Sequence, residues 1–177
     1  MDYELTPEEQ RRIKIKRFFI YVFTIFTLVI VVLYMLMAND FHDILAGLLV
    51  STTITNDFKM EYKDYTITFA KDVYKNLKNL YFANARNEFK ACLSGTVKDN
   101  NYLITSLEVP LIYSQSVFHI TSSTCKEGTL IDLHSHPYKH CVFSQQDIVS
   151  YDLIKKSNPD ILLALMCEPD RFTFYRD

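Results

Sequence analysis

Residues Phe18 to Met37 form a run of twenty without a charged side chain, and its only polar members are Tyr21, Thr24, Thr27 and Tyr34. As a helix rising ~1.5 Å per residue, such a run crosses the ~30 Å hydrocarbon core of a bilayer. In a chain of 177 residues it removes one segment from any soluble core and leaves enough sequence for a single further domain. A buried core helix is the alternative, but a run this long, aromatic and charge-free is rare inside a small domain. A cleaved signal peptide fits less well, because the apolar stretch is too long and Leu36-Met37-Ala38 is a poor small-residue cleavage site. The run reads as an uncleaved transmembrane helix, residues 18–37, in contact with membrane lipid.

Its flanks set an orientation. Thr6, Pro7 and Glu9 have the pattern of a capped helix start, so the helix is expected to begin before the apolar run. Residues 1–17 form a charged flank, in which Arg11, Arg12, Lys14, Lys16 and Arg17 can snorkel to the headgroups. The next cation after the span is Lys59. The positive-inside rule then predicts a single-pass protein of the cell membrane with a cytoplasmic N-terminus and residues 38–177 outside.

Residues 38–64 read as a linker. Phe41 to Val50 is apolar again but is broken by His42, Asp43 and Gly47, which suits the membrane interface or packing on a domain. Ser51 to Asp57 is polar and turn-like. Residues 65–177 then alternate between the periods of strands and helices. Strands are expected at Tyr65–Phe69, Phe89–Val97, Tyr102–Val109, Ser116–Thr121, Thr129–His134, Ile161–Cys167 and, as a short edge strand, Arg171–Tyr175. Helices are expected at Ala70–Ala85 and Ser144–Lys156. The fold class is α/β, a mixed sheet flanked by helices, preceded by one transmembrane helix. A formal charge of −2 argues against a nucleic-acid partner, and 49% hydrophobic residues exclude wholesale disorder.

The four cysteines, Cys92, Cys125, Cys141 and Cys167, contain no Cys-x-x-Cys pair and so no zinc-ribbon signature. Cys92 and Cys167 sit in apolar strands and read as buried free thiols. An extracytoplasmic domain would instead allow one or two disulfides, with three full pairings open.

The chemistry concentrates in His134-Ser135-His136-Pro137 and, beyond it, Ser144 and Asp147. Histidines at i and i+2 on a strand point to one face. Asp147, early in the following helix, can return to the same point. Two imidazoles and one carboxylate leave a fourth tetrahedral position open, as a catalytic zinc requires and a structural zinc does not. Ser144-x-x-Asp147 is also a plain helix cap, and both roles can hold together. His119 and His140 lie outside the pattern; His140 reads as a surface residue on the loop beside the site, and Cys141 on the same loop offers a thiolate that could intrude on the zinc.

This spacing resembles the JAMM (MPN+) metalloprotease family, whose signature is an upstream Glu and then His-Ser/Thr-His, seven residues, Ser, two residues, Asp. Asn87 to Gly95 is similar to the family segment in which the Glu opens a core strand and Leu-x-Gly follows. The likeness covers roughly residues 65–177, with Phe143 standing where the family often has Pro. It implies a cytidine-deaminase-like α/β fold, with Zn²⁺ held by His134, His136 and Asp147. It also implies that Glu88 acts as general base and then acid, and that Ser144 stabilises the oxyanion. The implied activity is hydrolysis of peptide or isopeptide bonds in protein or peptide substrates, ubiquitin-like conjugates among them. Two alternatives stand beside it: a zinc amidohydrolase acting on a small molecule or cell-wall peptide, and a non-catalytic MPN scaffold.

Overall fold

A computed structural model of the chain describes residues 6–37, 39–117 and 119–176. The chain divides into two compact units, residues 1–42 and 43–177.

The first unit is built on α1 (Pro7–Met37). The expected cap is present: the Thr6 amide and hydroxyl donate to Glu9 Oε2 at 2.9 and 2.8 Å, and the Glu9 amide donates back to Thr6 Oγ1 at 3.4 Å. Within the apolar run, the Thr24 and Thr27 hydroxyls donate to the carbonyls of Ile20 and Phe23 at 2.8 and 2.9 Å. Those two polar groups are therefore satisfied inside the helix, as a segment surrounded by hydrocarbon needs. No residue of α1 is buried, and by length and composition the helix is apolar enough to cross a bilayer.

The second unit begins within α2 (Asn39–Val50) and continues through β1 (Thr52–Thr53), β2 (Lys59–Tyr62), β3 (Tyr65–Phe69), α3 (Lys71–Ala83), β4 (Lys90–Lys98) and β5 (Asn101–Glu108). It is completed by β6 (Ile112–Gln115), β7 (Ile120–Ser122), β8 (Thr129–Ser135), α4 (Gln145–Lys155), β9 (Leu162–Glu168) and β10 (Arg171–Tyr175). Eight strands form one mixed sheet in the order β1-β10-β9-β8-β4-β5-β3-β2, while β6 and β7 pair separately. The neighbours β8 and β9, and β3 and β5, run parallel; the other pairs are antiparallel.

Strand parity divides the sheet into two faces. Ala91 and Leu93 of β4, Ile131 and Leu133 of β8, and Leu162, Ala164 and Met166 of β9 join Val73, Tyr74 and Leu77 of α3 in the main core. Their alternate neighbours turn to the other face, where α4 packs Tyr151 against Ile161 and Leu163. Two hydroxyls anchor α3: Tyr74 donates to the Pro169 carbonyl at 3.1 Å and Tyr81 to the Cys167 carbonyl at 2.8 Å. Gly95 marks a bulge in β4, where a Cβ would stand 1.9 Å from the Leu103 carbonyl oxygen. No other residue fits that close approach.

Three features differ from the sequence reading. The expected linker, residues 38–64, contributes α2, β1 and β2 instead. These strands are short and are defined by their partners, β10 far along the chain for β1 and the next strand, β3, for β2. Arg171–Tyr175 is not an edge strand, because β1 covers its outer side. The segment read as one strand at Ser116–Thr121 holds only the start of β7, and β6 lies before it. Phe118 in that segment is outside the described residues.

Candidate metal centre

The register of β4 on β8 assembles the site. Lys90 pairs with His134, so Glu88, two residues earlier on the same face, falls opposite His136. His136 continues the line of β8, and its amide donates to the Met166 carbonyl of β9 at 3.2 Å. Because Leu133 enters the apolar core, parity sends His134 and His136 to the α4 face. Their ring centroids are 5.0 Å apart.

Asp147 reaches the same point from α4. Ser144 caps the helix: its hydroxyl accepts from the Asp147 amide at 3.2 Å, and its amide donates to Asp147 Oδ2 at 2.7 Å. The capping box therefore also fixes the carboxylate. Asp147 Oδ1 lies 3.3 Å from His134 Nε2, and Oδ2 lies 3.5 Å from His136 Nε2. The ligand atoms of His134, His136 and Asp147 all fall within 4.8 Å of one another, so the three residues could hold one metal ion.

His134 Nε2 is buried and faces Asp147 Oδ1 at 3.3 Å. Two imidazoles and a carboxylate brought this close together away from water are costly unless they pair or coordinate an ion. Two imidazole nitrogens and a carboxylate are a suitable donor set for zinc. The residues present thus fit a metal, while its identity is open.

Glu88 Oε1 is 3.6 Å from His136 Nε2. Burial pushes the Glu88 carboxyl above the usual carboxylate range, against the pull of the two histidines. Asp147 behaves oppositely. Burial alone would raise it, but hydrogen bonding to His134, His136 and Ser144 holds it well below the usual range. The two nearby acids therefore have opposed tendencies, Glu88 toward the neutral form and Asp147 toward the ionised one.

Glu88 is positioned by residues that the spacing did not single out. The Ser135 hydroxyl, on the core side of β8, accepts from the Phe89 amide at 3.0 Å, and the Ser135 amide donates to the Phe89 carbonyl at 2.9 Å. The Glu88 amide donates to the Ser116 carbonyl at 2.9 Å, and Gln115 Nε2 donates to the Glu88 carbonyl at 2.6 Å. Ser135 was visible as a motif residue without an assigned role, whereas nothing in the sequence pointed to Gln115. Phe143 lays its ring 5.9 Å from that of His134 and 6.2 Å from that of Tyr175, which shields the site from one side.

The cysteines are corrected. Cys92 pairs with Cys125, and Cys141 with Cys167, so none of the four is a free thiol. Strand parity puts Cys92 and Cys167 on the α4 face, where loops bring their partners to them. Cys141 has no thiolate with which to reach a metal. His140 is partly exposed and faces Asp43 at 3.5 Å. His119 bonds Thr121 Oγ1 at 2.8 Å through Nε2.

Against models of known protein families the chain gives no match, and no curated protein matches its sequence. The reading of the site therefore rests on its own geometry.

Proposed function

We propose that the chain is a membrane-anchored zinc hydrolase of peptide or isopeptide bonds, of JAMM type, with α1 as its anchor. The observation that carries this reading is the convergence of the ligand atoms of His134, His136 and Asp147 within 4.8 Å of one another, with Glu88 at 3.6 Å from one ligand nitrogen.

A zinc ion held there would polarise the scissile carbonyl and acidify water at the open position. The residues divide the remaining work. Glu88, buried and aimed at the ligand cluster, takes a proton at Oε1 and returns it to the leaving amine. Its raised proton affinity suits that exchange. Ser144 spends its oxygen lone pair on the cap, which leaves its hydroxyl proton to donate to the developing oxyanion. Phe143 keeps bulk water from the His134 side.

The two disulfides favour an oxidising compartment, in agreement with the charge bias of the helix flanks. That location favours extracytoplasmic polypeptides over ubiquitin-like conjugates, which are cytoplasmic. The test is zinc content and peptide cleavage by the full-length protein in detergent, wild type against Glu88→Gln. The reading expects equal metal and lost cleavage in the variant. Undiminished cleavage in a metal-loaded Glu88→Gln protein would refute the assignment.

A further inference from the structure

The mechanism leaves α2 unused, and α2 has two different faces. On one, Gly47 packs on Cys141: a Cβ at residue 47 would stand 2.8 Å from the Cys141 Cβ, so the helix sits this close only because residue 47 is glycine. One turn earlier, Asp43 Oδ2 faces His140 Nε2 at 3.5 Å. Both partners belong to the loop that follows His136. The His140 ring lies 6.4 Å from the His136 ring, and the loop is tied to β9 through Cys141–Cys167. The other face of α2 carries Ile44, Leu45, Leu48 and Leu49, exposed to 38, 49, 50 and 82%. Residues 44–50 contain no charged or polar side chain.

An exposed apolar stripe at helical spacing calls for a cover. Chain connectivity identifies it. Met37, the last residue of the apolar run, and Asp43 are six residues apart, so no path of the chain separates them by more than ~20 Å. A stripe tethered this closely to the end of a bilayer-length helix has lipid within reach. We propose that α2 is an interfacial helix that lies on the bilayer by Ile44, Leu45, Leu48 and Leu49. It thereby seats the metal centre at the membrane surface and directs it to bonds in juxtamembrane segments of membrane-anchored polypeptides.

The metal loop then stands roughly one helix diameter, ~10 Å, from the lipid. Apolar side chains at the membrane boundary bind through buried area, as other interfacial helices do. An open, mainly apolar groove runs past Val50 at the end of α2, Phe143 and Ile148 near the start of α4, and Thr173, Phe174 and Tyr175 of β10. It suits the apolar residues of a segment leaving a bilayer. The substrate assignment rests on the hydrolase reading, whereas the seating of α2 does not.

The chain has no tryptophan, so a single one reports on its own position. Leu49→Trp in the full-length protein is reconstituted in phosphatidylcholine vesicles with or without acyl-chain bromine. Leu153→Trp, on exposed α4, is the comparison. The expected result is at least about twofold quenching at residue 49 and none at residue 153. Equal emission of Leu49→Trp in both lipids, or equal quenching at both positions, overturns the seating.

In the same vesicles, single-span reporters carry one mixed-sequence segment about five or about forty residues from their span. Effective concentration falls roughly as the −3/2 power of tether length, so the near segment is expected to be cut ~20-fold faster. Equal rates overturn the substrate restriction and leave the hydrolase reading standing. If zinc-loaded protein cuts neither reporter, nor the same segment as a free peptide, the hydrolase reading and the restriction fall together. The tryptophan measurement still decides the seating.

Discussion

The two faces of the large sheet are made by the same strands and have opposite chemistry. On the α3 face, eighteen buried apolar residues form one cluster among the described residues. On the α4 face the buried apolar cluster has three members among the described residues, and beside it, with Leu165, Cys92 and Cys167, lies a group of buried polar side chains. That face holds the Lys90–Asp132 ion pair at 2.9 Å, then His134, His136 and Glu88. Burying such groups costs stability unless they are paired or coordinated. The α3 face thus holds most of the buried apolar side chains, and on the proposed function the polar groups of the α4 face serve the chemistry.

Substitutions separate the two. The largest effect is expected from Glu88→Gln, which removes a proton carrier but no core contact. Cleavage should fall by roughly 10²–10⁴-fold with the thermal midpoint little changed. Next comes Leu133→Ala, one residue from His134 but on the opposite face and fully buried. It should cost about 3 kcal/mol in denaturant unfolding, with or without metal. A loss under 1 kcal/mol would show that the α3 face is not the main source of stability.

Smaller effects test the polar face. Ser144→Ala should lose about 1 kcal/mol from the helix cap. Because the same cap holds Asp147, metal affinity should fall roughly tenfold as well. Loss of stability without loss of affinity would detach the cap from the ligand. The smallest change in folding is expected from His134→Leu, which exchanges a buried imidazole for an apolar side chain and leaves Asp147 with His136 and the Ser144 amide as partners. The metal-free protein should change by no more than about 1 kcal/mol, while metal binding disappears. A strongly destabilised metal-free His134→Leu protein would mean that the polar face supports the fold after all.

Much of this division was legible before the structure. Periodicity located α1, α3, α4 and most core strands, because each carries its own apolar pattern. The metal cluster was legible because β8 supplies two ligands at strand spacing and α4 supplies the third through its cap. What stayed hidden depends mostly on partners. β1 and β2 are too short to show a pattern; β1 exists through pairing with distant β10 and β2 through a tight hairpin with β3. α2 showed its apolar run, but its buried contact is a glycine against Cys141, almost a hundred positions away, which no local pattern marks. The disulfides and the Gln115 contact to Glu88 join residues 33, 26 and 27 positions apart, which no local pattern encodes.

The central claim is that His134, His136 and Asp147 form one metal site. Titration of the full-length protein with zinc in detergent tests it most directly, with His136→Ala alongside. The account predicts one saturable zinc per chain in the wild type and loss of that binding in the variant. No saturable binding, or binding that survives His136→Ala, would contradict it.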